Sequence, residues 1–266
     1  MLNANRLVFE NVKSSLILVG GIAVYIFIAA ASNIINDVFD CEIDKINRPH
    51  RPIPSGKISI RAAIPYSAIL VILGAGISIP LGFFTPNGLL IPIFGVFFGV
   101  IGFLYSWKGK KKGFIGNLMV GVSFPSGIPF GALLITPFME VPPFLWFFFV
   151  TAMFLLVSRE IIKGMEDMEG DTQYDIKTIA NTRGIRFAAW TSGIFSVTAL
   201  LTFSIPAFVF SLNIWFKFLM SIGNIFVLVS IIHLIHPILK KNQTIASLYL
   251  KISAYIGLLA CVLAIF

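Results

Sequence analysis

Eight long apolar stretches separated by short polar loops decide most of what this chain can become. They cover roughly residues 13–35, 60–82, 87–106, 113–136, 142–163, 186–208, 214–236 and 245–266. A helix needs about 20 apolar residues to cross the hydrocarbon of a bilayer, and each stretch approaches or exceeds that length. Lipid offers no partners to backbone N–H and C=O groups, so such stretches cross as helices. The expectation is an all-α, polytopic transmembrane helix bundle of about eight spans, forming one domain over 1–266. Composition agrees, with 57% of residues hydrophobic, 12% charged and a mean hydropathy of +0.92. A water-soluble domain carries roughly 25% charged residues. The first apolar run is longer than a signal-peptide core and lacks a small-residue cleavage site before the next polar loop, so it reads as a span.

The net charge is +8, and its distribution argues for topology rather than nucleic-acid binding. Sixteen of the 20 Lys and Arg residues fall in or beside four polar loops, at 36–59, 107–112, 164–185 and 237–244. The intervening short loops near 83–86, 137–141 and 209–213 hold none. The positive-inside rule then puts the four polar loops in the cytoplasm and both termini outside. Cys41 and Cys261 are too few and too far apart for a metal cluster or a disulfide framework, so both read as free thiols.

The chemistry gathers in those polar loops. In Asn36-Asp37-Val38-Phe39-Asp40-Cys41-Glu42-Ile43-Asp44, the residues Asn36, Asp40 and Asp44 recur every fourth position and form one stripe on a helix. A solvated helix end with scattered acids is the plain alternative. Acids at a helix C-terminus oppose the macrodipole and repel one another at this spacing, which makes a cation a natural partner. Three oxygen ligands on one stripe suit Mg²⁺. A second stretch, Arg159 to Asp171, carries Asp167 and Asp171 at the same spacing. Alone it is an ordinary charged loop. Two carboxylate sets on one membrane face, however, can each hold Mg²⁺ against a single diphosphate.

Basic residues flank both acidic stretches. Asn47-Arg48-Pro49-His50-Arg51-Pro52-Ile53-Pro54 reads as a stiff, extended segment because of its prolines, able to aim Arg48 and Arg51 at an anion. His50 lies beside those arginines. Tyr105 precedes Lys108, Lys110, Lys111 and Lys112. This run is either a headgroup anchor or a phosphate-binding group in which Tyr105 donates to phosphate or orients a lysine. His233 and His236 lie away from both motifs, at the end of a span.

These motifs resemble the UbiA superfamily of intramembrane prenyltransferases. The resemblance rests on Asn36-Asp37-x-x-Asp40-x-x-x-Asp44, on Asn47-Arg48-Pro49-x-Arg51-Pro52-Ile53-Pro54-Ser55-Gly56, and on Tyr105 with Lys108 and Lys110. Gly116-Asn117 and Asp167-x-x-x-Asp171, behind Arg159-Glu160-Ile161-Ile162-Lys163, complete it. Ser32 to Asp37 and Arg159 to Asp171 look most like the archaeal branch. That branch joins a geranylgeranyl chain to the free hydroxyl of geranylgeranylglyceryl phosphate. The resemblance implies a Mg²⁺-dependent transferase in the cell membrane, multi-pass, with catalytic loops on the cytoplasmic face. Asn36, Asp40 and Asp44 would hold one ion, and Asp167 and Asp171 the other. Arg48, Arg51, Tyr105, Lys108, Lys110 and Lys163 would bind the donor diphosphate, and Asp37 would take the acceptor proton. Catalysis would then depend on Asp37, Asp40 and Asp171. The partners implied are an isoprenyl diphosphate, a lipid-like acceptor and the bilayer, with no nucleic acid and no obligate protein partner. An aromatic or tetrapyrrole acceptor is the alternative within this chemistry, and a membrane transporter the alternative outside it. Family members usually carry nine spans, and the expectation here is that the first is missing, since a single span precedes Asn36.

Overall fold

The computed structural model describes residues 2–109, 112–174 and 176–264. In chain order the helices are α1 (Leu2–Phe39), α2 (Cys41–Asn47), α3 (Ile60–Phe84), α4 (Leu90–Leu104), α5 (Phe114–Ser123), α6 (Gly127–Ile135), α7 (Pro143–Glu166), α8 (Met168–Gln173), α9 (Ile179–Arg183), α10 (Ile185–Val209), α11 (Ile214–His233) and α12 (Lys240–Leu263). A π-helical turn, Tyr105–Gly109, continues α4, and a 3₁₀ turn, Phe138–Glu140, follows α6. Among the described residues there is no strand, and eight segments are long and apolar enough to cross a membrane. The fold is the all-helical, polytopic one that the apolar runs predict.

The helices outrun the apolar stretches at several places. The first covers Leu2–Phe39 rather than 13–35, α7 runs to Glu166 rather than 163, and the last begins at Lys240 rather than 245. Hydropathy marks where lipid is tolerated, whereas the backbone ladder continues as long as each N–H finds a carbonyl four residues back. The fourth span is interrupted between Ser123 and Gly127, where Pro125 has no N–H to contribute.

The chain forms two compact units, one holding α1–α4 and α6, the other α5 and α7–α12. In the first, α3 and α4 pack on α1 through small residues. A Cβ added at Gly102 would lie 2.3 Å from Ser32 Oγ, and one at Gly74 would lie 2.9 Å from Ile28 Cδ1. With little hydrophobic drive between helices in lipid, such close backbone approach is what makes them adhere. Asn87 ties the α3–α4 turn to α6. Its amide nitrogen donates to the carbonyls of Leu133 (2.6 Å) and Thr136 (2.8 Å), and its oxygen accepts from Phe138 N–H (2.9 Å).

In the second unit α7 is the central element, packed by α5, α10 and α12. Val157, Ile161 and Ile162 of α7 meet Ala188 and Ala199 of α10 and Leu250 of α12 in one buried cluster. Within this apolar contact Ser158 Oγ lies 2.8 Å from both Ser192 Oγ and Ser196 Oγ, all three fully buried. Each hydroxyl is satisfied by the others, which a buried polar group requires. Cys41 and Cys261 are free and buried.

Asn87→Ala strands two carbonyls at the end of α6 and should cost about 1–3 kcal/mol. A lower apparent Tm in detergent, with activity kept at low temperature, checks this.

Candidate active site

The first acidic stretch sits where α1 gives way to α2. Asp40 is the single residue between them, with φ −86° and ψ 0°. The helical ladder nevertheless runs through it: Asp40 N–H donates to Asn36 O (2.9 Å), Asp44 N–H to Asp40 O (2.8 Å) and Arg48 N–H to Asp44 O (2.8 Å). Asn36, Asp40 and Asp44 therefore do share one face. Asp40 and Asp44 are buried, at 6% and 3% exposure, while Asn36 and Asp37 are half-buried. Asn36 Nδ2 donates to Asp40 Oδ2 at 2.9 Å, which turns the Asn36 amide so that its Oδ1 is buried without a hydrogen-bond partner among the described residues.

The segment after α2 is coiled rather than extended. Arg51 N–H donates to Arg48 O, Ser55 N–H to Arg51 O, Gly56 N–H to Ile53 O and Ile58 N–H to Pro52 O. Proline fixes φ near −65°, which serves a tight turn as well as an extended chain, and Gly56 supplies a positive φ of 78° that reverses the chain. Ile53 anchors the coil by packing with Cys41 of α2 and Ala63 of α3. This places Arg51 over the acids. Its Nη1 donates to Asp37 Oδ1 at 2.6 Å and to Asp44 Oδ2 at 2.8 Å. Sequence reasoning aimed Arg51 at a diphosphate; the structure pairs it with two carboxylates of the first motif.

The second stretch repeats the same construction. Asp167 alone separates α7 from α8, with φ −93° and ψ 8°. Asp167 N–H donates to Lys163 O (2.9 Å) and Asp171 N–H to Asp167 O (3.0 Å), so Lys163, Asp167 and Asp171 fall on one face. Asp171 is buried, at 4% exposure. Lys163 Nζ lies 3.2 Å from Glu160 Oε1, and Arg159 Nη1 is 3.5 Å from the same oxygen. Sequence reasoning gave Glu160 no role beyond its place in the motif; here it is the carboxylate that partners Lys163 and Arg159. The signal was present in its i, i+3 spacing to Lys163, which lets a carboxylate steady a lysine on a helix. Tyr105 and Lys108 lie in the π-helical turn, Tyr105 half-buried and Lys108 exposed. Arg48 is half-buried at the end of α2. Lys110 lies outside the described residues.

The donor set fits a hard divalent cation. Among the described residues no three His, Cys, Asp or Glu side chains form a ready-made cage. Mg²⁺ does not need one, because it is typically held by one or two carboxylates, several waters and substrate phosphate oxygens. Two buried carboxylates beside a buried, unpartnered amide oxygen on one face supply such a half-shell.

An all-helical, multi-span membrane protein with an aspartate pair, spaced by four, at the ends of two of its spans, three of the four carboxylates buried, is the outline of an intramembrane transferase acting on a phosphorylated substrate. The chain belongs to the UbiA prenyltransferase family, whose model matches residues 3–263. It is 36% identical over 240 residues to the digeranylgeranylglyceryl phosphate synthase of Saccharolobus solfataricus, covering 89% of this chain and 80% of that one. Its fold is similar to that of a solved digeranylgeranylglyceryl phosphate synthase, with a TM-score of 0.70 and 29% identity over 94% of this chain and 92% of the other. A UbiA homologue from Archaeoglobus fulgidus, solved with GPP and Mg²⁺, has the same fold, with a TM-score of 0.62 and 16% identity over 92% of this chain and 87% of that one.

Arg51→Gln removes the charge that faces the buried Asp44 and should destabilise the cation-free protein by roughly 2–4 kcal/mol. Added Mg²⁺ should then raise Tm more in the variant than in the wild type. An equal Mg²⁺ shift in both would show that Arg51 and the cation do not share these carboxylates.

Proposed function

We propose that this prenyltransferase moves a geranylgeranyl group from its diphosphate to the free hydroxyl of geranylgeranylglyceryl phosphate, in archaeal ether-lipid synthesis. The acceptor is taken from the relatives, which are named for that product. The observation that carries the chemistry is a carboxylate pair at each of two helix ends, buried at Asp40, Asp44 and Asp171 and half-buried at Asp167, flanked by Arg and Lys.

In this reading Asn36, Asp40 and Asp44 hold one Mg²⁺, and Asp167 and Asp171 hold a second. Bound magnesium neutralises charge on the departing diphosphate, as metal ions do in phosphate displacements. The residues of the chain do the rest. Arg48, Arg51, Lys108, Lys110 and Lys163 offset the remaining negative charge, and Tyr105 donates to a phosphate oxygen. Preset cations favour the transition state because charge grows on the leaving oxygen as the allylic C–O bond breaks. The electron pair of that bond leaves with the diphosphate, the glyceryl oxygen bonds the allylic carbon, and Asp37 takes the hydroxyl proton. The apolar spans exclude water, which would otherwise capture the allylic cation. The basic loops lie on the cytoplasmic side of the cell membrane by the distribution of Lys and Arg, and residues 1–266 act as one prenyltransferase domain.

Asp40→Ala and Asp171→Ala should each insert normally in the membrane and lose transfer by on the order of 100-fold or more, measured with radiolabelled geranylgeranyl diphosphate. Wild-type turnover in either variant removes that carboxylate pair from the mechanism. Presented with a panel of acceptors, the wild type should prenylate geranylgeranylglyceryl phosphate. Turnover on an aromatic acid alone would sink the lipid assignment.

A further inference from the structure

The second unit carries a cleft of about 630 Å³ that the chemistry above does not use. Its charged walls are Lys112, Lys177 and Arg183, and its apolar walls are Phe114, Ile179 and Phe187. Among the described residues, no Asp or Glu lines it. None of the three cations makes an ion pair among the described residues. Three like charges around one opening repel, and an anion relieves that repulsion.

The cleft is built, not merely left over. Gly113 has a φ of 58°, and a Cβ there would lie 2.6 Å from Lys177 O. Only glycine both adopts this backbone and permits that approach, so the turn bearing Lys112 is pressed onto the segment bearing Lys177. That segment is fixed in turn by Thr178, whose N–H donates to Asn181 Oδ1 (2.8 Å) and whose Oγ1 accepts from Asn181 N–H (3.2 Å). Arg183 is held with its guanidinium carbon 5.2 Å from the centre of the Phe187 ring, a cation–π contact.

Position says what kind of anion fits. Phe187 and Thr191 belong to the spanning helix α10, so the cleft starts in a polar loop and runs onto a lipid-facing helix. Trp190 of the same helix is 77% exposed, as tryptophan is at a headgroup boundary. Three cations and three apolar side chains lining one cleft match a lipid whose head is a phosphate monoester. The cleft also adjoins the second carboxylate motif through the backbone: Ile176 N–H donates to Asp171 O at 2.8 Å, one residue before Lys177.

We propose that Lys112, Lys177 and Arg183 form the binding site for a lipid phosphate monoester, and, resting on the function proposed above, that this is the phosphate of the acceptor. The site fixes the acceptor by its head while its free hydroxyl is delivered to the transfer chemistry.

The test is binding of radiolabelled geranylgeranylglyceryl phosphate, without donor, to the full chain in phosphatidylcholine nanodiscs. Lys177→Gln and Arg183→Gln should each weaken binding by about tenfold, as loss of a charge-assisted hydrogen bond does. Dephosphorylated geranylgeranylglycerol should bind wild type and variants alike. Equal binding of the phosphate lipid to wild type and both variants overturns the assignment. So does loss of wild-type binding when phosphatidylglycerol replaces part of the phosphatidylcholine, which would mark a general anionic-headgroup site. Turnover on the same samples separates the two proposals. A bound phosphate lipid that is never prenylated sinks the acceptor role and leaves the cleft standing. Normal prenylation with variant binding unchanged sinks the cleft and leaves the function standing.

Discussion

A carboxylate buried at the end of a membrane-spanning helix has to be answered by positive charge. Uncompensated, it costs several kcal/mol. Much of the first motif is arranged around that demand. Asp44 is buried, and Arg51 reaches it only because the chain after α2 coils back. The coil holds because Ile53 is packed against Cys41 and Ala63. The apolar anchor and the ion pair are thus one device. Arg51 meets two carboxylates with one guanidinium, so a divalent ion arriving with a diphosphate would free that arginine to face the phosphate oxygens.

The two acidic motifs solve one geometric problem in the same way. Each sits after a long helix, at a single residue near φ −90° and ψ 0°, followed by a short helix. At both, the ladder of hydrogen bonds to the fourth residue back survives the interruption. A full break would scatter the side chains, whereas an unbroken helix would carry them along one straight line. A single residue in the bridge region changes direction and keeps the stripe. Counter-charge is handled differently in the two: a distant arginine answers the first, while Glu160 on the same helix face steadies Lys163 in the second.

The spans were legible in the sequence because hydropathy is a signal along one dimension. The aspartate stripes were legible because a four-residue spacing means one thing on any helix. What the sequence hid depended on contacts between distant residues. The prolines after Asn47 read as extended, yet turns use the same φ, and only the packing of Ile53 decides between them. Arg51 was visible as a cation but not as the partner of Asp37 and Asp44. The cleft draws on positions 112, 177 and 183, joined by a backbone contact at Gly113; in the sequence they look like ordinary loop charges. Pro125 was visible, but membrane helices tolerate proline, so its interruption of the fourth span did not announce itself.

The length of α1 bears on how a greasy substrate gets in. Its spanning part, Val12–Phe39, has 28 residues and rises about 42 Å. The hydrocarbon slab is only about 30 Å thick. The surplus length lets the polar end of α1, which carries Asn36 and Asp37, reach the zone of glycerol and headgroups. A prenyl diphosphate already lodged in the leaflet has its own polar end at that depth. Docking then becomes a sideways drift within the membrane plane, during which the tail never has to be exposed to water.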